Sequence, residues 1–304
     1  MDLRILVSRA DRIGDLVLTL PAIGWLKRCT GAHVTLHCSA YAKDIGLWAV
    51  HNGVLDDLLF QDSQGQWNQS PAPFAGLLSF FHAPNVKALL KHVSVPRSFG
   101  PRTKLAAVWT YSRSLAQHRS RVEKSEMNYN LDLARRAMEL WGYRAEEFRA
   151  LPKLEVPEAW LRGYEKPRGL VVSLSNGGSA QNWQTSDYLR WVEENAPGEP
   201  VDFLVAGLDA AARKEELLRW HGYSEAKHRV VESLPSVAHL VGYLSQAERL
   251  VASSTGPLHI AHAAGVDVLG IYPTKRVESF KRWRPDGYRH EAELKWIEIG
   301  QGQV

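Results

Sequence analysis

Residues 249–273 read RLVASSTGPLHIAHAAGVDVLGIYP, and this segment sets the fold class. Leu250, Val251 and Ala252 are a short apolar run that ends in Ser253-Ser254-Thr255-Gly256. Pro257 suits the first helical position, where its fixed φ is already helical and its missing N–H has no partner to lose. Ser254 or Thr255 can serve as N-cap. Gly265 stops the helix, and Val266 to Tyr272 has the β-branched content of a buried strand. The spacing therefore predicts strand, turn, short helix, strand. Unpaired amides and the positive dipole end would gather at Ser254, Thr255, Gly256 and Leu258. A turn of this kind at the carboxyl end of a strand either holds a phosphate or is a plain βαβ connection.

Outward from this unit the same alternation recurs. Leu3–Ser8, Val34–Cys38, Gly76–His82 and Ser94–Gly100 read as strands in the first half. Helices read near Leu16–Arg28, Ala40–Val50, Asn85–His92 and Asn128–Trp141. Ser8–Asp15 reads as a polar loop turned by Gly14, and residues 61–75 as a long polar loop. Leu151–Gly169, with Pro152, Pro157 and Pro167, reads as a linker. Beyond it, strands at Leu170–Leu174, Val201–Ala206 and Arg229–Glu232 alternate with helices. Repeated β–loop–α units predict an α/β protein of two doubly wound parallel sheets. The expected domains are 1–157 and 168–283, with a tail, 284–304, packing back on the first.

Composition narrows the function classes. The chain has 304 residues, 45% hydrophobic and 23% charged, which is the profile of a globular protein. Its formal net charge of +4 allows an acidic ligand without requiring nucleic acid. Cys29 and Cys38 form no CxxC, zinc or disulfide pattern. His259 and His262 sit three apart on the predicted helix, yet no HExxH or third ligand accompanies them, so no metal is expected. MDLRILVSRADRIGD meets charge too early for a signal peptide, and no apolar run approaches a spanning helix. A cytoplasmic protein is expected. No GxGxxG follows any strand, which argues against a nicotinamide-dependent oxidoreductase.

Three segments offer chemistry besides the 253–258 turn. Asp15 lies on the loop after the first strand, where its carboxylate can act as a general base or cap the helix that follows. Between Arg97 and Lys124 the chain carries Arg97, Arg102, Lys104, Arg113, Arg119, Arg121 and Lys124 against Glu123 alone. Such a run is either a solvated face or a surface for an anionic partner. Asn176–Ser179 is a second candidate anion loop, after the Leu170–Leu174 strand.

These pieces together carry a resemblance. RADRIGDLVLTLPAIGWLKR (9–28) with SSTGPLHIAHAAGVDVLGIYP (253–273) resembles glycosyltransferase family 9, the ADP-heptose:lipopolysaccharide heptosyltransferases. SEMNYNLDLARRAMELWGY (125–143), SNGGSAQNW (175–183) and FKRWRPDGY (280–288) extend it along nearly the whole chain. The resemblance implies a GT-B fold, two Rossmann-like domains facing a central cleft. It implies inverting, metal-independent transfer of a heptose-like sugar from a nucleotide diphosphate to a lipopolysaccharide-core or related glycan. No cofactor is implied; the nucleotide sugar, ADP-heptose-like, is substrate.

Asp15 falls on the family's base position. Gly177, Gly178, Ser179, Asn182, Asp209, Ser254, Thr255, Gly256, Leu258 and His259 fall on donor-binding positions. Asp209 would accept hydrogen bonds from ribose hydroxyls or simply cap its helix. Arg12, Arg97, Arg102, Lys104 and Arg113 are the cations expected to meet an anionic glycolipid, with the inner-membrane face as the surface touched.

Three positions depart from the family's pattern. Ser254 stands where Asp is usual before Thr-Gly, Asn182 where Lys commonly precedes the Trp, and Ser125 where His is often found. The first two remove a sugar-hydroxyl partner and a cation from the diphosphate. They leave open a GT-B-shaped sugar-nucleotide or glycan binding protein with lost or altered donor use.

Overall fold

The computed structural model describes residues 3–70, 73–82, 84–102, 109–174, 183–207, 209–232 and 234–299. The chain divides into two compact units. The first runs to Glu155 and takes in Asp286–Arg289, and the second covers Val156–Pro285 and the chain from His290 onward.

In the first unit the strands are β1 (Arg4–Ser8), β2 (His33–His37), β3 (Asp57–Leu59), β4 (Gly76–Ser79), β5 (Ser98–Arg102) and β6 (Arg113–Ala116). Among the described residues they form a six-stranded sheet in the order β3-β2-β1-β4-β5-β6, parallel throughout. The order reverses between β1 and β4, so these neighbours leave the sheet in opposite directions and open a crevice at their carboxyl ends. The central strand Ile5-Leu6-Val7 is buried on both faces, as a parallel sheet covered by helices requires.

The helices of this unit are α1 (Ile13–Val17), α2 (Leu20–Thr30), α3 (Lys43–His51), α4 (Pro84–His92) and α5 (Glu126–Trp141). Pro21 lies in the first turn of α2, and Gly31, at φ +62°, ends it. Ser125 caps α5 by accepting from the Asn128 amide at 3.4 Å, and Gly142, at φ +87°, ends it.

α1 corrects the reading of 8–15 as an irregular loop. Ile13, Leu16 and Val17 are buried at i, i+3, i+4 spacing, and the Leu16 amide donates to Arg12 O at 3.0 Å. One apolar face suffices to wind this segment, with Gly14 inside the helix instead of at a turn. β6 was also not expected, since its residues were read only as part of a basic run.

The second unit repeats the plan. The two-residue strand β7 (Leu151–Pro152) closes the first unit, and β8 (Leu170–Ser173), β9 (Val201–Leu204), β10 (His228–Val231), β11 (Arg249–Ser253) and β12 (Asp267–Pro273) follow. Their helices are α6 (Thr185–Asn195), α7 (Ala210–Arg219), α8 (Val237–Leu244), α9 (Gly256–Ala263) and α10 (Phe280–Trp283). In the tail, β13 (Tyr288–Arg289) pairs with β7, and β14 (Leu294–Ile299) pairs with β12 from Val268↔Leu294 to Pro273↔Ile299. The sheet order is β10-β9-β8-β11-β12-β14, again parallel, with its reversal between β8 and β11.

The tail therefore differs from the expectation. Only Asp286–Arg289 joins the first unit, where Tyr288 Oη donates to Val17 O at 2.6 Å. From His290 the chain returns to the second unit, because the edge of β12 offers six consecutive residues a backbone ladder. Among the described residues, no helix is long and apolar enough to cross a membrane.

Candidate functional site

The first candidate site lies at the reversal point of the first sheet. Arg9 follows β1 directly, and its amide donates to His37 O at 3.0 Å, fixing the start of the connection. The Arg9 side chain is 1% exposed and spans the crevice. Its Nε donates to Asp11 at 2.7 Å, its Nη2 to Asp15 at 2.6 Å, and its Nη1 to Glu126 at 3.2 Å and to Phe80 O at 3.5 Å. Phe80 is the residue after β4, and Glu126 is the first residue of α5. Arg119 donates to the same Glu126 carboxylate and, at 3.1 Å, to Phe80 O. Three carboxylates thus share two guanidinium groups.

That balance sets the electrostatics. Burial works against the charge on Arg9, but Asp11, Asp15 and Glu126 outweigh it and hold Arg9 protonated. Burial pushes the Asp15 carboxyl up. Arg9 pulls it back, Asp11 and Glu126 push it further up, and it titrates at about 6 instead of 3.8. The Asp15 side chain keeps 13% of its surface exposed, so it is neither free in solvent nor sealed. A carboxylate that ionises just below neutral pH is basic enough to take a proton and still mostly ready to do so. Asp15 sits in the first turn of α1 as its acidic residue, while the N-cap position belongs to Arg12.

The second candidate site lies at the reversal point of the second sheet, after β11. Thr255 is the N-cap of α9 by its extended backbone (φ −132°, ψ 177°), but its side chain makes no capping bond. The Ser254 amide donates to Ile271 O at 3.1 Å and the Thr255 amide to Ser253 O at 2.6 Å. Those two amides are spent inside the turn, which corrects the expectation that all four gather as free donors. Gly256 and Leu258 remain first-turn amides with no helical carbonyl ahead of them. Ser254, Thr255 and Gly256 are half-buried. The Leu258 and His259 side chains are buried, so His259 packs inward instead of standing among surface donors. Burial, with His262 beside it, pushes the His259 ring down to about 3, and it is neutral.

Asp209 precedes α7 and accepts from Arg213 Nε at 2.9 Å, with no capping bond to its own helix. The helix-capping role weighed for it is therefore not the one its carboxylate plays. Gly177, Gly178, Ser179 and Asn182 lie outside the described residues, as does Lys104. Arg12, Arg97, Arg102 and Arg113 are exposed. Arg113 opens β6 opposite Phe99 of β5, the strand that Arg97 precedes and Arg102 ends. Among the described residues of the basic run, Arg119 alone turns inward to a buried carboxylate, with 11% of its side chain exposed. Among the described residues no three His, Cys, Asp or Glu side chains gather into a metal-holding group.

Sequence reasoning missed Arg9, Asp11, Arg119 and Glu126. Arg9 and Asp11 had a signal, two charges between an apolar strand and Asp15. Arg119 and Glu126 had none, since nothing in their spacing ties them to residue 15.

Comparison with known proteins shows counterparts of the fold. The chain superposes on a glycosyltransferase family 9 protein from Veillonella parvula with a TM-score of 0.74, at 14% identity, covering 98% of this chain and 87% of that one. The chain has the GT-B fold. The ADP-heptose LPS heptosyltransferase II of E. coli matches with a TM-score of 0.73 at 13% identity, over 99% of this chain and 92% of that one. E. coli heptosyltransferase WaaC, solved with ADP, matches at 0.67 and 13% identity over 98% and 91%. In sequence, a Haemophilus influenzae protein provisionally named a glycosyltransferase is 25% identical over 309 aligned positions, 93% of this chain and 86% of its own length. No family model matches the chain. The GT-B sheets identified here carry their candidate residues at the two reversal points, where α/β sheets of this topology bind ligands.

Proposed function

We propose that this GT-B protein is an inverting, metal-independent glycosyltransferase that moves a heptose-like sugar from a nucleotide diphosphate to a lipopolysaccharide-core or related glycan. The observation that carries the reading is Asp15, a largely buried carboxylate at a sheet reversal point that titrates at about 6. Inversion in one displacement needs a base to take the proton of the acceptor hydroxyl as its oxygen attacks the anomeric carbon. Asp15 has the basicity and the partial exposure for that step. The anomeric carbon–oxygen bond breaks towards the diphosphate, and the charge that develops there needs donors. The Gly256 and Leu258 amides at the start of α9 would supply them. The exposed arginines 12, 97, 102 and 113 would meet the anionic acceptor, and the protein would work at the cytoplasmic face of the inner membrane.

The solved relatives support the donor class. E. coli WaaC is known with ADP and with ADP-2-deoxy-2-fluoro heptose. Ser254 and Asn182 favour a second reading, a sugar-nucleotide binding protein without turnover, because each stands where the resembling enzymes carry a charged side chain.

Asp15→Asn separates the readings. With ADP-heptose and a lipopolysaccharide-core acceptor, the variant should release ADP at least about a hundredfold more slowly than wild type, with an unchanged circular dichroism spectrum. Turnover equal to wild type would remove Asp15 as base. Calorimetric binding of ADP-heptose with no product from the wild-type protein would favour the binding reading.

A further inference from the structure

Arg9 commits every guanidinium nitrogen to the protein: Nε to Asp11, Nη2 to Asp15, Nη1 to Glu126 and Phe80 O. Four of its five N–H groups are engaged in this way, and the side chain is 1% exposed. Its face is covered by the Phe81 ring, whose centroid lies 5.6 Å from the guanidinium carbon. Behind it stands a second arginine. Arg119 is braced by Gln117 Oε1 at 3.0 and 2.8 Å and donates to Glu126 Oε1, the same oxygen that accepts from Arg9. Glu126 is held in place as the first residue of α5, whose cap is Ser125. A continuous relay, Gln117–Arg119–Glu126–Arg9–Asp15, therefore ends on one carboxylate oxygen, Asp15 Oδ1, at 2.6 Å.

Resting on the reading of Asp15 as base, we infer that Arg9 is a positioning residue that, backed by Glu126 and Arg119, fixes the Asp15 carboxylate in the orientation from which it takes the acceptor proton. The fork matters for this role. A guanidinium reaches Asp11, Asp15 and Glu126 at once in a fixed plane, whereas an ammonium is a point charge on a flexible stem. With Oδ1 occupied by Nη2, the second carboxylate oxygen of Asp15 has its direction set. A base displaced by about 1 Å loses on the order of a hundredfold in rate.

The relay also controls when Asp15 is ionised. The groups that act on it are Arg9, Asp11 and Glu126 and, from its own element, Arg12. Arg9 pulls its titration down and Glu126 pushes it up. Loss of the two partners therefore has opposite signs, which a purely structural ion cluster would not produce at a catalytic pH limb.

The test compares Arg9→Lys, Arg9→Gln, Glu126→Gln and Asp15→Asn in the full chain. Asp15 is titrated by ¹³C NMR of its carboxyl, a readout that needs no substrate, and ADP release is measured against pH. Arg9→Lys should lower kcat about ten- to a hundredfold with the KM of donor and acceptor unchanged. The Asp15 midpoint and the acidic limb should rise in Arg9→Gln and fall in Glu126→Gln. Should Arg9→Gln fail to fold, Glu126→Gln carries the midpoint comparison and Arg9→Lys, which keeps the charge, the kcat comparison. A midpoint that stays at about 6 in the folded Arg9→Gln and Glu126→Gln variants, or Arg9→Lys with wild-type kcat, overturns the positioning role. Full turnover by Asp15→Asn instead overturns the base reading alone, and the NMR midpoints still decide whether Arg9 sets the carboxylate.

Discussion

Asp15 weakens the fold at the pH where it would work. Burial raises its titration from 3.8 to about 6, so between these values the folded chain binds more protons than the unfolded one. Stability from this group is therefore greatest below pH 4, falls as pH rises, and reaches its low plateau above pH 6. Asparagine imitates the protonated carboxyl in shape and charge. Asp15→Asn should accordingly match wild-type stability near pH 4 and exceed it by about 2 °C or more in Tm at pH 8. Equal melting temperatures at both pH values would show that Arg9 fully offsets the burial. At this scale the sequence was half legible. Asp15 stood out because it falls on the base position of the family that RADRIGDLVLTLPAIGWLKR resembles; its place after the first strand is shared with Asp11. Glu126, 117 residues from Arg9, could not be tied to it, because a buried ion pair between distant elements leaves no periodic trace.

Elements were legible where local chemistry alone specifies them. Thr255-Gly256-Pro257 carries local helix-start chemistry, and α9 begins at Gly256, one residue before the Pro257 start expected, with Thr255 as its N-cap. β6 and β14 escaped because edge strands are partly solvated and carry charge: RSLA is short and opens on Arg113, and the apolar residues of LKWIEI are interrupted by Lys295 and Glu298. Close packing between elements was equally hidden. Gly242 lies inside α8, and a Cβ built there would come within 1.9 Å of the Trp160 carbonyl oxygen and 2.5 Å of Tyr164 Oη. A backbone carbonyl in the Glu158–Leu161 turn cannot rotate aside, so the helix itself would have to move. Gly242→Ala should destabilise the second unit by about 3 kcal/mol, read from urea denaturation. At Gly46 of α3 the obstructing atom is the tip of the Leu58 side chain, at 2.5 Å, which can swing away. Gly46→Ala is the control and should cost clearly less. A reversed order would mean that the Glu158–Leu161 turn yields more readily than Leu58.

At the scale of the whole chain, the tail shows why alternation of elements predicts sheets better than it predicts domain limits. Two doubly wound sheets follow from repeated β–loop–α units, but the identity of the last strand depends on which edge is vacant. β14 completes the second sheet beside β12, burying Ile299, while Trp296 stacks on Phe280 with centroids 4.0 Å apart. Asp286–Arg289 is held separately in the first unit, where Leu151 N donates to Gly287 O at 2.9 Å and Ser125 Oγ to Asp286 at 3.0 Å. A chain ended after Arg289 keeps those bonds and loses β14. The β12 edge would then show unpaired backbone groups beside Val268, Ile271 and Tyr272, an exposed template for pairing with other chains. The second unit should lose about 3 kcal/mol or more, from apolar area alone, and the protein should aggregate on concentration. Urea transitions of the two units, separated by limited proteolysis, would locate the loss. A weakened second unit with an unchanged first is the expected pattern. Loss confined to the first unit would mean that the tail stabilises the front half after all, as the sequence by itself suggested.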